Sequence, residues 1–274
     1  MTPDAIWQEA LRRADGASPE ASPVLESVVS AVAAALDRTD DFTPQGREAL
    51  NNQLIDDLAG RLRVRAVARP DASVAPILFI IGPPRTGTTL LQHLLALDPR
   101  ARSLVQWEVS WPIPAPTRTT YAGDPRWERS AQVMQLMREK APGIFEMHPM
   151  SPTLPSEDNG LLSRAFLAGT WKGMIIEKVF EDWFFAHADE IAPMAYRHHR
   201  LEIGYLQSDF DPHHWVLKAP AHAFGMPALL DIYPEATILF TFRDPADWLA
   251  SQCRAQWLFR SMNSEVDKVA LAQS

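Results

Sequence analysis

The sequence predicts an α/β fold: a parallel sheet flanked by helices, with an N-terminal helical extension before it and a helical insertion within it. Three observations carry this. The run Ile77-Leu78-Phe79-Ile80-Ile81 has the pattern of a buried strand, stops at Gly82, and leads through a tight loop into an apolar helix opened by Thr88 and Thr89. The same alternation of strand and helix returns over residues 215–260, which calls for parallel pairing. Residues 1–69 show helical periodicity and no strand-like run. The extension is therefore assigned to residues 1–70 and the α/β region to 71–274, with the insertion at about 120–210.

Composition narrows the class. With 46% hydrophobic residues among 274, the chain can bury a sizeable core. A net charge of −8 argues against a nucleic-acid binder, which would carry a basic face, but leaves room for a local basic pocket. The single cysteine, Cys253, excludes an intramolecular disulfide and a cysteine-rich zinc site, and a reducing compartment is expected. No signal-peptide pattern opens the chain, and no apolar run reaches the roughly 20 residues of a membrane span. The expectation is a cytoplasmic protein without a membrane or nucleic-acid partner. The oligomeric state is left open.

In chain order, a helix is expected from Val24 to Leu36 behind Ser22-Pro23, and another behind the cap Thr43 and Pro44, with a stripe of Leu50, Leu54, Ile55, Leu58 and Leu62. Arg61, Arg63, Arg65 and Arg69 read as a solvated basic face. After the helix at Thr88–Leu97, residues 103–109 read as a second strand with Glu108 near its end. Asp124-Pro125 opens a helix reaching about Lys140, and Ser156 is the expected cap of a helix starting at Glu157. Helices are expected over Trp171–Phe185 and Pro193–Leu206. The aromatics Phe166, Trp171, Phe180, Trp183, Phe184 and Phe185 suit a core or the wall of an apolar acceptor pocket. A strand at Trp215–Pro220 carries Lys218, a helix covers 221–232, and the strand Ala236–Phe242 ends at Arg243-Asp244-Pro245, where Asp244 caps the last helix.

The loop is the chemically informative stretch. Amide groups at a helix start, with the positive end of the helix dipole, receive an oxyanion. The spacing Gly82-x4-Gly87-Thr88-Thr89 is P-loop-like, but Thr88 stands where a P-loop has its lysine. That lysine reaches the β- and γ-phosphates of a nucleoside triphosphate, so a kinase or ATPase reading is weakened.

Pro84-Arg85-Thr86-Gly87-Thr88-Thr89-Leu90-Leu91 resembles the 5′-phosphosulfate loop of sulfotransferases that use 3′-phosphoadenosine 5′-phosphosulfate. Arg243-Asp244-Pro245, followed by Ser251 eight residues after the arginine, resembles the family motif for the 3′-phosphate. Trp215–Pro220 and the stretch from His148 to Leu162 resemble the large bacterial branch. The resemblance covers about residues 77–260 and implies a P-loop-like fold, that sulfuryl donor, and a small-molecule or carbohydrate hydroxyl as acceptor. It implies that Pro84, Arg85, Thr86, Gly87, Thr88, Thr89, Arg243 and Ser251 hold the donor. A guanidinium fork and a helix hydroxyl about two turns after Asp244 suit a phosphate.

Sulfuryl transfer needs a base, cations on the transferring and leaving oxygens, and in-line alignment. Arg85 and Lys218 are the candidate cations; losing such a donor costs roughly 3–4 kcal/mol of barrier. In relatives that modify protein tyrosines, a glutamate after the loop helix is the base and a lysine matching Lys218 stabilises the transition state, which assigns Glu108 and Lys218 by resemblance. His222 and His148 are rival bases. No metal is called for, and the pairs His198-His199 and His213-His214 show no carboxylate pattern that suggests one. Family members continue beyond the second motif into a segment that closes over the nucleotide. This chain ends at Ser274, so a C-terminally short member is expected. The alternatives are a P-loop kinase-like phosphotransferase, which needs magnesium, and a non-catalytic nucleotide-binding protein.

Overall fold

The first three helices, α1 (Pro3–Arg13), α2 (Pro23–Arg38) and α3 (Pro44–Val67), begin with one device. The hydroxyls of Thr2, Ser22 and Thr43 accept from the amides of Ala5, Leu25 and Gly46, and a proline with preset φ follows each cap. The computed structural model describes residues 1–266 apart from 141, 149, 168 and 176. Residues 267–274 of the expected α/β region lie outside the described ones, as does residue 176 of the expected Trp171–Phe185 helix.

Helix α2 buries Val28, Val29, Val32 and Leu36, and α3 buries Leu50, Leu54, Ile55, Leu58 and Leu62. Phe166, Trp171, Phe180 and Phe184 join them in one apolar cluster, with Trp183 partly buried against it. These aromatics are core, whereas Phe185 is 52% exposed. The solvated reading of Arg61 is corrected. It is 1% exposed, and its guanidinium donates to both Glu20 oxygens, at 2.7 and 2.8 Å, and to the Ala165 carbonyl at 3.2 Å. The carboxylate that buries it lies on a loop 41 residues earlier, out of reach of any local pattern.

The remaining elements follow as β1 (Ile77–Ile81), α4 (Thr88–Leu95), β2 (Ala101–Arg102), α5 (Gln106–Ser110), α6 (Arg126–Lys140), α7 (Pro142–Met147), α8 (Asn159–Arg164), α9 (Gly169–Lys172), α10 (Lys178–Ala186), α11 (Ala188–Gln207), β3 (His214–Lys218), α12 (Met226–Ile232), β4 (Thr237–Phe240) and α13 (Pro245–Arg260). The four strands form a parallel sheet in the order β2-β3-β1-β4. β1 lies at its centre, which is why its sequence is an unbroken apolar run. Ile80 pairs with Lys218, and Ile81 with Phe240. The register thus sets the end of β3 beside the loop that follows β1, at the carboxyl edge where open parallel sheets bind ligands. A second apolar cluster, with Phe79, Leu217, Leu161, Tyr196 and Leu229, packs the helices onto the sheet. Among the described residues no helix is long and apolar enough to cross a membrane.

Five expectations are corrected. The helix expected over Trp171–Phe185 is two, α9 and α10, with residues 173–175 and 177 non-helical between them. Residues 103–109 are not a strand; β2 is shorter and earlier, and α5 follows, because Glu108 turns back to accept from the Val105 amide at 3.1 Å and closes a first turn. Ser156 is not a cap: its hydroxyl donates to Gln106 at 2.9 Å, and Asp158 directly precedes α8. Pro193 lies inside α11 instead of at its start; the lost backbone bond is outweighed by burial of Ile191, Ala192, Met194, Ala195 and Tyr196. The helix at 221–232 begins as a 3₁₀ turn over Pro220–Gly225.

Candidate active site

Three residues of the loop after β1 take left-handed backbone: Gly82 at φ 155°, Arg85 at 70° and Gly87 at 92°. At Gly82 a side chain would also overlap the backbone of Thr241, so glycine is required twice over. Gly87 caps α4 without any side-chain hydrogen bond. The first-turn amides of α4 are thereby left for an oxyanion. The Thr86 hydroxyl is spent on the loop itself, donating to the Pro83 carbonyl at 2.7 Å and lying 2.6 Å from Thr241 Oγ1.

Helix α13 locks the loop from the other side. Trp248 Nε1 donates to the Pro84 carbonyl at 2.6 Å, and Arg85 Nε donates to Ser251 Oγ at 3.1 Å. The two motifs recognised separately in the sequence therefore touch. Arg243, expected to work with Ser251, leaves the end of β4 as an exposed side chain.

A cavity of about 1000 Å³ opens in front of the loop. Pro84, Arg85, Thr88 and Thr89 line it, and Lys218, Glu157 and His148 face them. Lys218 is 1% exposed; its ammonium donates to the Glu157 carboxylate and to Thr89 Oγ1 at 3.3 Å. Asn159 Nδ2 also donates to Glu157. His148 Nε2 lies 3.9 Å from Glu157 Oε1. Burial holds the His148 imidazole below its usual range; Glu157 opposes this, and Lys218 and Arg85 add to it. The ring is therefore neutral at neutral pH, its lone pair open to a proton. Two threonine hydroxyls, an ammonium, a guanidinium and an uncapped helix start form a donor set suited to a tetrahedral oxyanion.

Two expected residues are not brought to the cavity. Glu108 is fully buried on α5: it accepts from Arg102 at 2.5 Å and from the Tyr121 hydroxyl at 3.2 Å, and Arg102 is itself stacked 3.8 Å from the Phe210 ring. Burial pushes its carboxyl up, with Arg102 opposing. It does not line the cavity. His222 is fully buried, with Nε2 2.9 Å from Asp158 Oδ2 and Nδ1 3.0 Å from the Tyr196 hydroxyl. His199 meets the same Asp158 oxygen at 3.0 Å and the Tyr233 hydroxyl at 2.7 Å. The pair His198-His199, which shows no carboxylate pattern in the sequence, thus meets carboxylates in the fold: Asp158 at His199, and Glu202 3.6 Å from His198. Burial pushes both tyrosines up, so their hydroxyls keep their protons beside the imidazole nitrogens. Burial opposes ionisation of Asp158, yet His222 and His199 outweigh it and hold the carboxyl below its usual range. Asp158, His199 and His222 also form a cluster with metal-ligand atoms close together, but these hydrogen bonds already use the facing atoms.

Glu157, Trp248 and Asp158 were not singled out from the sequence. The signal for Glu157 was an acidic pair closing a proline-rich stretch, but its partner Lys218 lies 61 residues on.

The profile of the sulfotransferase family matches residues 76–273. The fold is similar to sulfotransferase STF9 from Mycobacterium avium, with a TM-score of 0.84 and 28% identity, over 99% of this chain and 71% of that one. It is also similar to sulfotransferase STF1 from Mycobacterium tuberculosis H37Rv, with a TM-score of 0.80 over 97% of this chain and 73% of that one; at 23% identity that likeness speaks for the fold alone. No curated protein sequence matches the chain. With the family profile covering most of its length, and a loop and cavity built for a tetrahedral anion, the chain belongs to the sulfotransferase family and is a sulfotransferase.

Proposed function

We propose that this enzyme moves a sulfuryl group from 3′-phosphoadenosine 5′-phosphosulfate to a hydroxyl of a small-molecule or carbohydrate acceptor. The observation that carries the proposal is the meeting of Lys218 and Glu157 with the loop threonines in one cavity. The donor supplies the activated sulfuryl group; binding, alignment and proton handling fall to the chain.

The α4 amides, Arg85, Thr88 and Thr89 hold the 5′-phosphosulfate end. Arg243 and Ser251 hold the 3′-phosphate; Ser251 accepts from Arg85 and keeps its own proton to donate. Lys218 and Arg85 stabilise the charge that develops as the acceptor O–S bond forms and the S–O bond to the phosphate breaks. Glu157 takes the acceptor's proton, with neutral His148 beside it. Protonation of Glu157 weakens its hold on Lys218 as negative charge grows on the leaving oxygen, so the two roles reinforce each other.

Titration calorimetry tests the donor assignment. 3′-Phosphoadenosine 5′-phosphate is expected to bind in chelator-containing buffer, and ATP with magnesium to bind far more weakly. A preference for ATP with magnesium would overturn the reading in favour of a phosphotransferase.

A further inference from the structure

The lining of the cavity also includes residues of the N-terminal helix α3. Gln53 and Asp57, one turn apart on α3, line it together with Ser163 and Thr170. Asp57 Oδ2 is buried and has no hydrogen-bond partner among the described residues. The hydrogen bonds of the nearby Arg164 guanidinium go elsewhere, to Glu202 at 2.6 Å and to the Val109 carbonyl at 2.8 Å. An unmet buried acceptor is costly to keep unless something supplies the donor. Met174, Phe224 and Phe259 add apolar surface to the same cavity.

We infer that this wall is the acceptor subsite, and that Asp57 and Gln53 select a polyhydroxylated, carbohydrate-type acceptor by binding hydroxyls beyond the reacting one. The inference rests on the donor occupying the loop side of the cavity. A ligand with one hydroxyl, spent on the reaction, brings no donor for Asp57 Oδ2. A sugar ring brings an apolar face for Phe224 and Phe259 and further O–H donors for Asp57. Burial also pushes the Asp57 carboxyl up to about 7, with Arg164 and Ser163 opposing and Asp56 and Glu202 adding to the rise. Hydroxyl donors to the carboxylate would bring it back down, so sugar binding should strengthen as pH rises through 7.

The test uses wild type, Asp57→Leu and Asp57→Asn. Each is titrated with 3′-phosphoadenosine 5′-phosphate, then assayed with the sulfuryl donor on 4-nitrophenyl glycosides of glucose, galactose and mannose and on 2-naphthol. The inference expects equal nucleotide affinity in all three proteins. It expects the preference in kcat/KM for at least one glycoside over 2-naphthol to fall tenfold or more in Asp57→Leu. Asp57→Asn, which keeps an acceptor oxygen, should lose less and should lose the rise through pH 7. Nucleotide binding with no glycoside accepted, or with a preference unchanged in Asp57→Leu, overturns the inference while the donor reading stands. Absence of nucleotide binding to wild type overturns both.

Discussion

Lys218 and Glu157 form an ion pair that joins the carboxyl end of a central strand to the residue just before Asp158 and α8. The pair sits against Thr89 on the first turn of the loop helix. A cation and a carboxylate are thereby held together where the loop presents its donors.

Lys218 and Arg243 should separate turnover from binding. Lys218→Ala is expected to lower kcat by about 10²–10³, the loss typical of one charge-stabilising donor, with little change in nucleotide affinity. Arg243→Ala is expected to weaken 3′-phosphoadenosine 5′-phosphate binding by about tenfold or more, the scale of a charged hydrogen bond. Calorimetry and steady-state kinetics on both variants check this; equal nucleotide affinity in Arg243→Ala and wild type would refute the 3′-phosphate assignment.

Glu157→Gln should keep its fold and lose its rate. The side chain is partly exposed and the amide still accepts from Lys218, so melting should change little. As the proton acceptor its loss should cost about 10²–10⁴ in kcat. His148→Asn should cost less; the reverse order in single-turnover assays would move the role of base to His148.

Asp57→Asn should stabilise the protein in a pH-dependent way. The folded-state carboxyl sits near 7, above its ordinary 3.8, so the stability tied to its protonated form is intact below about 4 and lost as pH rises through 7. The variant has no such loss. Its melting advantage should therefore grow between pH 4 and 7, at no more than about 1.4 kcal/mol per pH unit, and level off above. Thermal melts of both proteins across pH 4–8 measure it, and a flat difference would refute the burial argument.

Asp158→Asn should destabilise the fold strongly. The carboxylate is fully buried between His199 and His222 and ties α11 and the turn after β3 to the start of α8. Breaking one partner out of a buried charged network costs about 3–5 kcal/mol, read by chemical denaturation. Because Asp158 neighbours Glu157 and its amide donates to the Lys218 carbonyl at 3.3 Å, turnover should fall with stability.

What the sequence revealed was local. The run Ile77–Ile81 and its glycine, the threonines opening α4, Lys218 near a strand end, and Asp244-Pro245 before α13 are each written within a few residues. The rest depends on side-chain pairings, near or far along the chain, that leave no periodic pattern. Glu108 looked like a strand-end base because its first-turn contact to Val105 and its pairing with Arg102 have no periodic signature. Arg61 is covered by Glu20, a partner 41 residues away. Only the fold sets Glu157 against Lys218, 61 residues on. Arg85 and Ser251 were legible as two motifs, but their contact across 166 residues was not.

The most direct test follows the label. The protein is incubated in chelator-containing buffer with a hydroxyl-acceptor panel and either sulfur-labelled 3′-phosphoadenosine 5′-phosphosulfate or γ-phosphorus-labelled ATP. Sulfur label reaching an acceptor without metal, and falling about a hundredfold or more in Lys218→Ala, is the predicted result. Label arriving only from ATP, and only after magnesium is restored, would contradict it.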